Sequence, residues 1–128
     1  MDSMATQRPI GDHLAILHQA LIGEAVDNSP LLAFVADEDM RYVAVSRRAC
    51  DALGYTRDEL LKLRVTDVAS DSTAPAEYAE LIDAGFRSGT ATLRTKDGES
   101  LEFAYFASEA TIAGLPFYIS FGSLAAGA

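Results

Sequence analysis

The chain is poor in the side chains on which metal binding, redox chemistry and nucleophilic catalysis most often depend. It has one cysteine, two histidines and no tryptophan among 128 residues. A lone Cys50 excludes an internal disulfide and a thiolate metal cluster, and it fits a reducing cytoplasm. Positive charge is scarce: ten Lys and Arg stand against 19 Asp and Glu, a net charge of −9. Such a surface repels phosphate backbones and anionic lipid, so neither nucleic acid nor a membrane is expected as a partner. No apolar run approaches the ~20 residues needed to span a bilayer. Met1–Pro9 carries Asp2 and Arg8 with no apolar stretch, which is not a secretory signal, so a cytoplasmic location is expected. There is no Gly-rich phosphate loop, no Gly-x-Ser-x-Gly turn and no His/Cys cluster at metal spacing. Asp37, Glu38 and Asp39 fall together in a turn, which reads more simply as a solvated face than as a cation site. With no nucleophile and base to pair, no enzyme is expected.

What is present describes one domain with a real core. The hydrophobic fraction is 49% and the charged fraction 23%, ordinary values for a globular chain of this size. Gly11–Asp27 has helical periodicity with Asp12 as its N-cap. Ile10, Leu14, Leu17, Leu21 and Ala25 form one apolar stripe, with Ala15, Ile22 and Val26 beside it. Two readings stand for this surplus: the helix lies on its own domain, or Leu14, Leu17, Leu21 and Ile22 meet a second chain. His18 lies between the stripes, either at the edge of a packed face or as a protonation switch.

After Asn28-Ser29-Pro30 the pattern turns to strands over Leu31–Ala36 and Met40–Val45. Ser46 is placed to cap a helix over Arg47–Leu53 that Gly54 stops. Thr56 and Glu59 form a capping box for the next helix. Ser72 or Thr73 is expected to start a longer helix over Ala74–Ser88, with Phe86 extending it and Gly89 ending it. Three strands follow, over Thr90–Thr95, Leu101–Ser108 and Leu115–Phe121, with turns at Lys96-Asp97-Gly98 and Ala113-Gly114. Leu124–Ala128 is expected to be a frayed tail. Strands at both ends with helices between them predict an α+β fold.

The segment from Val43 to Leu60, through Leu53-Gly54-Tyr55-Thr56-Arg57-Asp58-Glu59-Leu60, closely resembles the signature of the PAS family, and Thr95-Lys96-Asp97-Gly98 resembles one of its later hairpins. Ser46 stands where that family often has Asn, and both residues cap helices. The resemblance covers about residues 30–123, with residues 1–29 as a flanking helix for dimerisation or signal transfer. It implies a five-stranded antiparallel sheet in the order 2-1-5-4-3 with helices on one face. It also implies a sensory role: a small ligand between helices and sheet, and an output partner or effector reached through the sheet and N-terminal helix. A ligand-free module mediating homodimerisation or partner docking is the alternative.

The family's better-known cofactors find poor matches here. No Asn-Cys-Arg-Phe-Leu-Gln stretch is present for a flavin–cysteinyl adduct, and Cys50 is expected either to pack in the core or to sense redox state. Residues 74–88 carry no histidine for haem; His13 and His18 both lie near the N-terminus. Val68–Ser72 holds no thiol for a covalently attached chromophore. A small, mainly apolar metabolite is expected instead, contacting Phe34, Tyr78, Leu81, Phe86, Phe103, Tyr105 and Phe117.

Overall fold

Alternating and continuous apolar runs fold into one sheet because each buries at least one row of side chains. A computed structural model describes residues 2–70 and 74–125. Its strands are β1 (Leu32–Ala36), β2 (Tyr42–Val45), β3 (Phe86–Arg94), β4 (Ser100–Ile112) and β5 (Leu115–Leu124). They form an antiparallel sheet in the order β2-β1-β5-β4-β3. The expected α+β architecture and strand order are therefore present. The β4–β5 hairpin closes through Ala113 and Gly114, both at positive φ (53° and 79°), as a tight two-residue turn requires.

The helices are α1 (Asp2–Asp27), α2 (Arg47–Leu53), α3 (Arg57–Leu60), α4 (Val65–Val68) and α5 (Ala74–Ala84). Ser46 caps α2 by accepting from the Ala49 amide. The same hydroxyl accepts from the Ala33 amide at 3.0 Å and donates to the Leu31 carbonyl, so one side chain fixes α2 onto β1. Gly54 ends α2 at φ 79°. The Thr56–Glu59 capping box forms in both directions.

These local locks set the inner face of the sheet. Leu32, Phe34, Tyr42, Val45, Leu93 and Phe103 pack there against Ala49, Leu53, Leu60 and Val68 from the helices. A bulge in the β1–β2 pairing skips Val43, so Tyr42 and Val45 both turn inward.

Several boundaries differ from the sequence reading, among them the end of β4, which runs on to Ile112. Helix α1 runs through Pro9 and Gly11 from Asp2, so Asp12 is an interior helix position rather than its start. Helix α5 stops at Ala84, with Gly85 at φ 85° just beyond it. Phe86, Arg87 and Ser88 belong to β3 rather than to the helix, and Gly89 pairs with Tyr105 instead of ending anything. A further helical turn, α4, was not anticipated. Leu124 pairs with Phe103 and the Ala125 amide donates to the Glu102 carbonyl, so the strand continues into the expected tail. Ser72, Thr73 and residues 126–128 of that tail lie outside the described residues, so neither expected cap is placed.

Candidate ligand cavity and the uncovered faces

Between the helices and the sheet lies a cavity of about 100 Å³, open on one side. Phe34 and Ala36 on β1 and Phe103, Tyr105 and Ala107 on β4 supply its sheet wall, with Tyr118 from β5. Leu81 on α5, Val65 on α4 and Ala69 just beyond it close the opposite side. The aromatics brace one another: Phe34 meets Phe103 edge-on at 5.7 Å and Tyr42 at 5.4 Å, and Phe103 stacks on Tyr105 at 5.8 Å. Such pairs hold their rings in fixed positions, so this wall is preformed.

Four of the seven expected ligand contacts line the cavity: Phe34, Leu81, Phe103 and Tyr105. Two do not. Phe86 and Phe117 alternate onto the outer face of the sheet, away from the helices. Phe86 stands 61% exposed there and stacks on Phe106, which meets Phe121. Tyr78 is on α5, and its side chain lies outside the described residues.

Tyr42, Tyr118 and Arg87 are among the lining residues that escaped the sequence reading. Tyr42 points inward only because of the bulge. Tyr118 alternates opposite to Phe117, and burial pushes its phenol above the ordinary value of 10.0, helped by Glu109 and Glu38. Arg87 enters the wall because β3 starts earlier than its apolar neighbour implied. Its Nε donates to the Tyr105 hydroxyl at 2.9 Å, and its Nη1 donates to the Glu80 carboxylate on α5. The described lining residues include no carboxylate, imidazole or thiol. Cys50 sits on α2 outside it, its thiol pushed up by burial against the opposing pull of Arg57.

Helix α1 is the second unusual surface. Every residue from His13 to Val26 is exposed, including Leu14, Leu17, Leu21 and Ile22. The reading in which α1 lies on its own sheet is thus overturned. Among the described residues, its fastening is at the C-terminal end. The Asp27 carboxylate accepts from the Arg47 amide at 2.7 Å and from the Arg57 guanidinium at 3.0 Å, with the Arg47 guanidinium at 3.6 Å.

A helix-capped antiparallel sheet with this strand order, an inner cavity and a flanking helix matches the family that the signature residues resemble. The PAS domain family profile matches residues 30–115. The chain belongs to the PAS domain family. Solved PAS domains share its fold at low identity. One from a two-component sensor histidine kinase is 15% identical, with TM-score 0.78 over 87% of this chain and 99% of that one. The PAS domain of an HTR-like protein from Haloarcula marismortui is 17% identical, with TM-score 0.78 over 91% and 99%. That of nitrogen regulation protein NR(II) from Vibrio parahaemolyticus is 11% identical, with TM-score 0.71 over 82% and 98%. No curated protein matches the chain. Among the described residues no helix of this PAS domain is long and apolar enough to cross a membrane.

Proposed function

We propose that this PAS domain is a sensory module whose cavity takes a small, mainly apolar ligand and whose flanking helix passes the change to a second copy of the chain. The observation that carries the proposal is the cavity itself. It is preformed, bounded by α5 on one side and by the sheet on the other, and lined mostly by hydrocarbon with a few phenols and the Arg87 guanidinium, the usual character of a small-molecule site. Its volume of about 100 Å³ is well under the roughly 300 Å³ at which drug-sized sites begin. That size favours a small metabolite over a flavin or haem ring system.

A homodimer through α1 is supported by charge as well as exposure. Copies of a chain with net charge −9 repel one another over most of their surface. From His13 to Val26 only Glu24 is a carboxylate, so apolar contact there escapes most of that repulsion.

Native mass spectrometry of the purified protein tests the ligand, and light scattering tests the dimer. A mass above that of the chain, released on denaturation and lost in Leu81→Trp, is expected; a variant that retains it would remove the cavity assignment. Changing Leu17 and Leu21 together to Glu should leave monomers, and a persistent dimer would place the contact elsewhere.

A further inference from the structure

Resting on the reading that α1 meets a second copy of the chain, we propose that His18 is a proton switch in that contact: the neutral imidazole is tolerated between the copies, and the imidazolium drives them apart. Its place on the helix carries the proposal. At 100° per residue, Leu17 and Val26 bound an arc of about 180° within residues 13–26 that is apolar but for His18. His18 lies about 100° from Leu17 and about 80° from Val26, near the middle of that arc. Its neighbours one turn away in either direction are Leu14, Ala15, Leu21 and Ile22. None of their side chains can pair with an imidazole.

This whole face stands exposed in the single chain, so water solvates the imidazole in either protonation state. Covering the face removes that water. A charge enclosed by leucine and isoleucine with no partner is costly, and desolvation disfavours the charged form.

Symmetry doubles the effect. His18 stands four residues from Leu14 and four from Ile22, midway along the contact. A two-fold contact uses the same patch twice, so the two His18 side chains enter it near each other whether the helices run parallel or antiparallel. The other titratable groups that the second copy's α1 brings to this stretch are His13 and Glu24, both beyond Leu17 and outside the arc. They lie about 8–9 Å from His18 along the axis. Asp27, with Arg47 and Arg57, is at the anchored end and farther still. None of these is placed to neutralise an imidazolium at the centre.

Overall charge acts in the opposite sense. Acidification reduces the net charge of −9 and so weakens the repulsion between copies. Separation on acidification is therefore a signature of a group inside the contact.

The test measures the dimer dissociation constant of the intact chain by sedimentation equilibrium at fixed salt, at pH 7.5 and pH 5.5, on either side of the ordinary histidine range. The constant should be at least about tenfold larger at pH 5.5, because separation lets each of two histidines take up a proton. His18→Gln should hold the same constant at both pH values to within about twofold, which also shows that the domain stays folded at pH 5.5. His18→Leu should bind more tightly and show no pH dependence, while His13→Gln should keep the full dependence. A dimer equally tight at both pH values, a dependence that survives His18→Gln, or one that disappears in His13→Gln would overturn the switch and leave the dimer standing. A monomer at pH 7.5 would overturn the dimer and the switch together.

Discussion

The inner face of the sheet has two halves that are packed to different degrees. Under α2, α3 and α4, Ala49, Leu53, Leu60 and Val68 are wholly buried and interlock with Leu32, Phe34 and Phe103. Under α5, among the described residues, Leu81, Ala107 and Tyr118 form a smaller buried cluster, with Tyr105 beside it, and the cavity opens between the two. Each half is bridged by an acid–base pair from helix to sheet. Lys96 donates to Glu59 at 2.6 Å on the filled side, and Arg87 donates to Glu80 on the loose side. The filled half carries the stability that lets the other half stay incomplete. Incomplete packing is what a ligand can exploit, since a close-packed core has no room for one.

Truncating core leucines should expose this difference most strongly. Leu53→Ala or Leu60→Ala should cost about 3–5 kcal/mol by urea denaturation, the range for fully buried leucines whose surroundings cannot collapse. Leu81→Ala should cost less than about 2 kcal/mol, because it widens a space that already exists. Equal losses would mean that the two halves are packed alike. Asp27→Ala comes next, at about 1–2 kcal/mol, since it removes a hydrogen-bonded anion from the start of α2 and the ties to Arg47 and Arg57. Hydrogen exchange should rise in α1 near Asp27 and stay unchanged around Leu60.

A smaller change serves as a control outside both halves. Ala113→Asn should stabilise the β4–β5 hairpin by about 0.5 kcal/mol, because Asn tolerates the left-handed backbone found there better than Ala. Its effect on a calorimetric melt should be the same with and without ligand.

The weakest effect, and the most screened by salt, belongs to the Glu59–Lys96 bridge. The Lys96 ammonium and the Thr56 amide lower the Glu59 carboxyl from its ordinary 4.5 to about 2. A lowered folded value contributes stability above the unfolded value and loses it as pH falls. The stability difference between the unaltered chain and Glu59→Gln should therefore be flat above about pH 4.5 and vanish by about pH 2. A difference constant across that window would show that the bridge is not formed.

Much of the filled half was legible in the chain because its determinants are local. Ser46, Gly54 and the Thr56–Glu59 pair act within one helical turn, and their spacing alone identifies them. The loose half depended on long-range choices. Leu31–Ala36 is apolar throughout, so no alternation showed which residues face the helices. The same was true of Phe103–Ala107, and Phe117 was consequently expected on the wrong face. Phe86 continued the helical apolar pattern of α5, which hid both the stop at Gly85 and the strand position of Arg87. The bulge at Val43 broke the alternation on which any expectation for Tyr42 would have rested.

The anchorage of α1 at Asp27 has a mechanical consequence. A helix of 26 residues is about 39 Å long at 1.5 Å per residue. With the described contacts of that helix gathered at its C-terminal end, Asp27 is a fulcrum and the exposed stretch from His13 to Val26 is a lever arm. A tilt of about 5° there carries the far end through about 3 Å, comparable to the helix shifts that switch protein interfaces. Displacements too small to notice at α2 and α3 thus become large toward the N-terminal part of α1, so the length of one helix sets how far a small tilt is magnified.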